Sequence, residues 1–231
     1  MTIESVPATT DSRWRLLYKI GGFSAIGMLA IMVAQIAIFI IWPPPTTTEG
    51  FFVLFQQNRF LGLLSMDLLY LVNNTILILI YLALWIPLKR VSESLSLVAL
   101  IFGIVGITAY FSSNPAFEML SLSNQFAASS NELQQTALLG AGHALLATYK
   151  GTVFDVYYVL NAISLLIFAG LMLRSESFSK GIAVVGLISG ILMSIPSSAG
   201  TIGLIFSLAS LIPWAVFLIL IIKRFFILEG K

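Results

Sequence analysis

The chain has 231 residues, of which 58% are hydrophobic and only 10% charged, and its mean hydropathy is +1.00. Soluble domains carry about 25% charged residues, so this composition excludes an ordinary soluble domain and indicates an integral membrane protein. There is no cysteine, which excludes disulfides, thiolate metal sites and thiol nucleophiles, and nothing supports nucleic-acid binding.

Six apolar stretches along the chain predict transmembrane helices in a single domain, 1–231. They cover 17–41, 61–87, 95–111, 152–173, 181–195 and 201–222. The first stretch is too long for the core of a signal peptide and lacks a small-residue cleavage site, so we interpret it as a retained span. The fifth is short and stops at Pro196. The predicted fold is therefore an all-α membrane bundle of six spans.

Between the first two spans, residues 46–60 predict a short amphipathic helix. Phe51, Phe52 and Phe55 stand beside glutamines and an asparagine, which is typical of a helix lying on a membrane face with its aromatic side in the interface. Thr48 is the expected N-cap residue, because a threonine oxygen accepts a hydrogen bond from the first turn of a helix. We interpret this segment as an anchor on the outer face.

The segment 114–150 is the least hydrophobic part of the chain interior. Asn114-Pro115 is a typical helix start, and a second helix is predicted to follow a break near 127–130, where a capping box begins. We expect both helices to lie outside the membrane and to cover the mouth of the bundle. A re-entrant segment is the alternative, but its glutamines and Lys150 would then need buried partners.

The basic residues predict the orientation of the bundle. With the N-terminus inside, only Arg59 and Lys150 among the 12 Lys and Arg residues lie on the outer side of the six spans. An excess of basic residues marks the cytoplasmic side, so both termini are predicted to be cytoplasmic. The residues on the inner side are Arg13, Arg15, Lys19, Lys89, Arg90, Arg174, Lys180, Lys223, Arg224 and Lys231.

Spans two and four both carry the pattern Asp-x-x-Tyr-x-x-Asn near their outer ends. Each span is followed by an inner loop that contains Ser-Glu-Ser, at 92–94 and at 175–177. The matched polar positions predict that spans two–three and four–five form an internal repeat of two helical hairpins with the same direction. The residues of the pattern are Asp67, Tyr70, Asn73 and Asp155, Tyr158, Asn161.

The repeated pattern places a carboxylate, a phenol and an amide on one face of a helix. Spacings of three and six residues fall within an arc of about 120° and descend about 9 Å along the axis. Polar groups that face lipid are costly, so both stripes are expected to face the bundle interior and to form a cleft open to the outside. All six residues are therefore candidate ligand-binding or ion-binding residues.

Each candidate residue also has a structural interpretation. The asparagines and tyrosines could join helices through interhelical hydrogen bonds. Asp67 and Asp155 could form ion pairs with the accessory residues Arg59 and Lys150, or they could hold a cation, a proton or a ligand. The sequence leaves both readings of the aspartates open. The single histidine, His143, is a further accessory candidate, although a solvated or packing role is the commoner one for a lone histidine.

No catalytic residue, metal site or cofactor is predicted. One histidine without cysteine cannot build a three-histidine zinc site. No serine stands in a nucleophile-elbow context, and the sequence contains no phosphate loop or dinucleotide fingerprint.

Several short motifs resemble one known family. They are MLRS at 172–175, FSK at 178–180, GTIG at 200–203 and LIPW at 211–214. The chain resembles a prokaryotic family of multi-span membrane proteins, domain-of-unknown-function 4386, over nearly all of its spans. The resemblance implies a multi-pass protein of the prokaryotic cytoplasmic membrane, and it brings neither a substrate nor a catalytic residue.

These observations support three functions in decreasing order. The first is binding or translocation of a small molecule, lipid or ion at a polar cleft between spans two and four. The second is a non-catalytic partner or sensor subunit that acts through its outer cap, and the third is an intramembrane enzyme. The expected partners are membrane lipids, a small-molecule or ion ligand, and a second copy or another protein.

Overall fold

The computed structural model describes residues 12–230, and within this range the chain forms helices and no strands. A 3-10 helix at Ser12–Trp14 leads directly into the first α-helix. The α-helices are α1 (Arg15–Ile41), α2 (Thr48–Gln57), α3 (Arg59–Ser65), α4 (Leu68–Leu88), α5 (Glu93–Ser113), α6 (Ala116–Ala128), α7 (Glu132–Tyr149), α8 (Thr152–Met172), α9 (Lys180–Leu192) and α10 (Gly200–Glu229).

Six of these helices form a closed ring in which every neighbour is in contact. The order around the ring is α1, α4, α5, α8, α9, α10 and back to α1. Neighbours run in opposite directions, so the chain passes back and forth between two ends of the bundle. We call the end that carries α2, α3, α6 and α7 the cap end. The opposite end is the basic end, where Lys19 Nζ of α1 lies 4.0 Å from Glu229 Oε1 of α10.

Length and hydropathy indicate a multi-pass membrane protein, as the sequence predicted. Five helical segments among the described residues are long and apolar enough to cross a membrane. They are Arg15–Ile41, Leu68–Leu88, Glu93–Ala128, Glu132–Met172 and Gly200–Glu229. Helix α9 is apolar but has only 13 residues. Large apolar side chains cover the outside of the ring, such as Ile40 at 74% and Ile212 at 72% exposure, as lipid contact requires.

Two glycines of α5 allow the central helices to pack closely. A Cβ on Gly106 would lie 2.4 Å from Asn161 Nδ2 of α8, and a Cβ on Gly103 would lie 2.4 Å from the Tyr81 ring of α4. No side chain larger than hydrogen fits at either position without movement. These glycines therefore permit the close approach of α5 to α4 and α8.

The second predicted span is wrong at its start. The stretch 61–87 does not form one helix, because α3 ends at Ser65 and α4 begins at Leu68. Asp67 joins them in the left-handed conformation, with φ at 60°. Asn114 holds the break in place by donating its Nδ2 hydrogen to the Met66 carbonyl oxygen at 2.8 Å. The last helix is longer than the predicted span 201–222, since α10 continues to Glu229.

The aromatic segment at the cap end is helical, but the interpretation of its phenylalanines as an outer anchor is wrong. Phe51, Phe52 and Phe55 are at most 2% exposed and belong to a separate apolar core of the cap. Their partners are Met66, Ala116, Met119 and Tyr149 from the linker before α4 and from helices α6 and α7. An amphipathic pattern fits a protein surface as well as a membrane surface, so the sequence could not separate the two.

The caps of the outer helices differ by a residue or two from the prediction. Thr47, not Thr48, caps α2, and its oxygen accepts a hydrogen bond from the Gly50 N–H at 3.1 Å. Two helices separated near 127–130 are present, as expected. The second begins after Asn131, whose Oδ1 accepts from the Leu133 N–H at 2.9 Å.

Candidate functional site

A cavity of about 310 Å³ lies inside the ring, between α1, α4, α8 and α10, and we call it the bundle chamber. Four of the six candidate residues line it: Tyr70 and Asn73 from α4, and Tyr158 and Asn161 from α8. The polar stripe of each helix faces the interior of the ring, so the four residues line the same cavity. Apolar residues such as Met28, Met32, Leu77 and Trp214 complete the walls.

Two buried oxygen atoms in the chamber wall have no hydrogen-bond partner within residues 12–230. They are Gln35 Oε1 on α1 and Asn73 Oδ1 on α4. The amide nitrogen of Gln35 is satisfied, since it donates to the Leu64 carbonyl at 3.3 Å. A buried acceptor that stays unpaired costs about 1–3 kcal/mol, so both oxygens favour a hydrogen-bond donor inside the chamber.

The corresponding residues of α8 are paired. Asn161 is 2% exposed, and its Oδ1 accepts a hydrogen bond from the Tyr81 hydroxyl of α4 at 2.8 Å. The Tyr158 hydroxyl lies 2.9 Å from Ser207 Oγ of α10, and either group can donate. These bonds join α8 to its neighbours, which is the structural role that amides and phenols take between membrane helices.

A second cavity of about 510 Å³ adjoins the first beneath the cap, and we call it the cap chamber. The two chambers share Phe39, Ser197 and Leu204 in their walls. Asp67 and Lys150 also line the cap chamber. The cavity beneath the cap and the cavity inside the ring are therefore neighbours, separated by the three shared residues.

Asp67 lies before the first turn of α4, and its carboxylate accepts a hydrogen bond from the Tyr149 hydroxyl at the end of α7. Burial raises the pKa of this carboxyl to about 6. The hydrogen bond from Tyr149 and the charge of Lys150 act in the opposite direction and lower the pKa, but burial outweighs them. Asp67 can therefore change its protonation state within the physiological pH range.

Asp155 lies in the first turn of α8 and is not part of either chamber wall. Its carboxylate accepts a hydrogen bond from the hydroxyl of Ser198, which lines the cap chamber. The structure thus places Asp67 in the wall of the cap chamber, whereas Asp155 is connected to that wall through Ser198 in the turn before α10.

The ion pairs that the sequence offered as an alternative for the aspartates are absent from the described residues. Neither Arg59 nor Lys150 has a carboxylate within 4.0 Å. Lys150 still acts on Asp67 through its charge, whereas Arg59 is exposed at the start of α3. His143 is exposed as well, and its Nε2 lies 3.7 Å from Glu49 Oε1 on the surface of the cap.

A family model described as Domain of unknown function (DUF4386) matches residues 20–227. The chain belongs to the DUF4386 family. The match covers all of the ring helices except the ends of α1 and α10, and it confirms the resemblance seen in the short motifs. No curated protein and no solved structure matches the chain.

Sequence reasoning missed several residues of the site in this DUF4386 protein. Among them, Gln35 could have been recognised from the sequence, because it is a polar residue within an apolar span. Tyr149, Ser198 and Ser207 carry no signal in the sequence, since hydroxyl groups are common in membrane helices and turns. Their role follows only from their long-range partners.

The chemistry of the DUF4386 site is that of hydrogen bonding and of one proton. Within residues 12–230 no three histidine, aspartate or glutamate side chains group as metal ligands. The bundle chamber contains no charged side chain in its wall. Neutral amides and hydroxyls of this kind are suited to hydrogen bonding, and the carboxyl of Asp67 lies in the wall of the adjoining cap chamber.

Proposed function

We propose that the protein binds a small molecule with hydrogen-bond donor groups in the bundle chamber, and that the molecule reaches it through the cap chamber. The observation that carries this proposal is the pair of unpaired acceptors, Gln35 Oε1 and Asn73 Oδ1, in the wall of one cavity. Largely apolar walls with a few polar groups are typical of small-molecule sites, and the volume of about 310 Å³ lies within their usual range.

The lining favours a donor such as an alcohol, amine or amide over a bare ion. A metal cation needs several oxygen ligands at short range, and the bundle chamber offers neutral amides, phenols and serine hydroxyls without a carboxylate. At Gln35 and Asn73 an anion would meet unpaired oxygen acceptors where it needs donors. A molecule with a polar end and an apolar body would satisfy both the amide oxygens and the methionine and leucine side chains.

The proposal includes six membrane crossings with both termini in the cytoplasm of a prokaryotic cell. The alternating directions of the ring helices support it, because they place the start of α1, the end of α10 and most of the described basic residues together at the basic end. Helix α9 has 13 residues, about 20 Å at 1.5 Å per residue, against an apolar thickness of about 30 Å. The turn at 193–199 would complete this crossing. Lys231, one of the inner basic residues, lies outside the described residues.

The proposal also retains the internal repeat. Two hairpins of the ring, α4–α5 and α8–α9, have the same direction, and both second helices begin at a serine N-cap. Ser92 caps α5 and Ser179 caps α9, although the matched position of Ser92 in the second loop is Ser175. A duplication of this kind would supply α4 from one copy and α8 from the other to the chamber wall, which α1 and α10 complete.

Native mass spectrometry of the gently purified protein tests the binding function. Wild type is compared with Gln35→Leu and Asn73→Leu, and Gln125→Leu on the exposed face of α6 is the control. Asn73→Leu replaces an unpaired buried acceptor by an apolar group of similar size and should preserve or raise stability, so its loss of ligand cannot be ascribed to unfolding. Gln35→Leu also removes the hydrogen bond from Gln35 Nε2 to the Leu64 carbonyl, so its result counts only together with that of Asn73→Leu.

We expect a defined small mass on wild type and on Gln125→Leu that is absent from the two chamber variants. An identical bound mass on all four proteins would contradict binding at these acceptors. A bound lipid that depends on Gln35 and Asn73 would assign the site to a lipid instead of a soluble molecule.

A groove on the cap favours the partner-subunit function as a second candidate. It has a volume of about 390 Å³ and is lined by Phe52, Val53, Phe126 and Leu139 from α2, α6 and α7. Val53 is 55% exposed there. If this function holds, Val53→Asp removes a co-purifying protein, whereas Asn73→Leu does not.

A further inference from the structure

A third cavity, of about 490 Å³, lies at the basic end, at the opposite end of the ring from the cap. Three arginines line it, and each comes from a different part of the chain. Arg90 lies in the turn between α4 and α5, Arg174 in the loop between α8 and α9, and Arg224 in α10. The ring therefore brings together three guanidinium groups that are far apart in sequence.

These arginines lack counter-ions within residues 12–230. Glu176 also lines the cavity, but no ion pair within 4.0 Å joins it to any of the three. The Nε atom of Arg224 is fully buried and has no hydrogen-bond partner. Arg90 and Arg174 are exposed, and the Nε–H of Arg224 is the buried guanidinium donor that lacks an acceptor, which is costly. An anion in the cavity would remove this cost and neutralise positive charge at its wall.

The general excess of basic residues at this end does not explain why three arginines line one cavity. That excess requires only that Lys and Arg lie on one side of the membrane. Lys180 and Lys223 satisfy it with exposed side chains that do not line the cavity. The three arginines differ because they surround a concave space, and guanidinium groups bind phosphate oxygens with two parallel hydrogen bonds.

Aromatic residues place the cavity at the depth of lipid headgroups. The rings of Trp14 and Trp85 meet edge to face with centroids 6.5 Å apart. Lys89 Nζ lies 4.8 Å from the first centroid and 4.4 Å from the second. Tryptophan and lysine in this arrangement are typical of the membrane–water interface. Arg90 follows Lys89 directly, so the cavity opens at the same level.

We propose that this cavity binds a phosphate group, and that its source is the headgroup of an anionic membrane lipid. Basic pockets between helices at the cytoplasmic side are suited to such headgroups. The site would be separate from the chambers near the cap, and it would tie together the two hairpin loops and α10 at the basic end. The proposal does not depend on the occupant of the bundle chamber.

The test compares two double variants that remove the same number of charges. Arg174→Gln/Arg224→Gln removes two arginines of the cavity, and Lys180→Gln/Lys223→Gln removes two exposed lysines of the same end. Full-length protein is reconstituted in vesicles that mix phosphatidylglycerol with phosphatidylcholine, and the lipids retained after release are counted by native mass spectrometry. Arg90→Gln, an exposed position, gives an independent variant if substitution of Arg224 impairs folding.

We expect wild type and the lysine variant to retain phosphatidylglycerol preferentially, and the arginine variants to lose that preference by at least about tenfold. Equal loss in the lysine variant would overturn the proposal, because the effect would then be one of total charge. Equal retention of both lipids by wild type would overturn it as well, unless the soluble-anion arm is positive.

The soluble-anion arm measures the melting temperature in neutral detergent without lipid as inorganic phosphate is added. Protection of wild type but not of Arg174→Gln/Arg224→Gln would support the phosphate site and assign its source to a soluble anion if the lipid arm is negative. Absence of both lipid preference and phosphate protection would reject the site.

Discussion

The two copies of the Asp-x-x-Tyr-x-x-Asn pattern have the same sequence spacing but different structures. In the first copy Asp67 precedes α4, in the left-handed conformation, and lines the cap chamber. In the second copy Asp155 lies within the first turn of α8 and bonds to the exposed turn residue Ser198. The Asn73 oxygen of the first copy is unpaired, whereas Asn161 of the second bonds to Tyr81.

The difference arises from the chain that precedes each copy. Helix α3 runs up to Ser65, so the chain must turn sharply at 66–67 before α4 can begin. Before the second copy, Gly151 lets α8 begin at Thr152, three residues ahead of Asp155. Both copies line the bundle chamber, but the first leaves an unpaired oxygen in its wall, whereas the polar groups of the second are bonded to neighbouring helices. The following predictions test that difference.

The largest effect is expected where the second copy packs against α5. Gly106→Leu would place a side chain where even a Cβ lies 2.4 Å from Asn161 Nδ2. We expect it to reduce the free energy of unfolding by about 3 kcal/mol, measured by denaturant unfolding in detergent. Gly170→Leu on α8 is the control, since no atom lies within 4 Å of a Cβ at Gly170. Equal losses of stability in the two variants would contradict the view that close packing of α5 on α8 causes the effect.

The first copy should give the protein a pH-dependent stability. Folding raises the pKa of Asp67 from 3.8 to about 6, so the folded protein binds the carboxyl proton more tightly than the unfolded chain does. This proton binding stabilises the fold fully below pH 3.8, and the stabilisation is lost as the pH rises through about 6. Asp67→Asn has no such loss and should be about 3 kcal/mol more stable than wild type above that range. Asparagine also tolerates the left-handed conformation.

Melting temperatures of both proteins between about pH 4 and 8 measure this effect. Tyr149→Phe provides the second comparison, because the Tyr149 hydrogen bond lowers the pKa of Asp67. Its removal should move the loss of stability to higher pH. A pH profile of Asp67→Asn that matches wild type would assign the dependence to another group.

The two asparagines should differ by about 1–2 kcal/mol. Asn161→Ala leaves the buried Tyr81 hydroxyl without its acceptor at 2.8 Å, which costs stability. Asn73→Ala removes an oxygen that has no partner and should cost less. A double-mutant cycle with Tyr81→Phe should show coupling to Asn161 and none to Asn73. Coupling of Tyr81 to both would contradict separate roles for the two copies.

The smallest effect is the difference in stability between glycine and alanine variants, which should have opposite signs at positions 67 and 155. At position 67 we expect glycine to be about 1 kcal/mol more stable than alanine, because the backbone there has φ at 60°. At position 155, inside a helix, alanine should exceed glycine by about 0.5–1 kcal/mol. Thermal unfolding of the four variants measures both differences. The same sign at both positions would show that the first copy can adopt a helical conformation.

The sequence was sufficient to locate most helices and the inward stripes. Residues 95–111 and 152–173 were predicted as spans and correspond to α5 and α8 within two residues at each end. The stripes face the ring interior because burial of Tyr158 and Asn161 against lipid would be costly, and this is a local argument.

The break at Asp67 could not be predicted. Residues 65–68 contain neither glycine nor proline, so no local signal ends a helix there. The turn depends on Asn114, which lies 48 positions away and binds the Met66 carbonyl. The partners of the carboxylates are equally distant, 82 positions for Tyr149 and 43 for Ser198. Sequence spacing carries no information on such pairs.

Closure of the ring through α1 and α10 has a consequence for biosynthesis. Helix α10 is synthesised after the other five ring helices, yet it packs on the first. A Cβ on Gly22 of α1 would lie 3.0 Å from Phe226 of α10, and α10 also supplies Ser207 and Trp214 to the chamber wall. The nascent chain therefore has no complete chamber until α10 is inserted. Any molecule held there must be acquired at the final stage of membrane insertion or later.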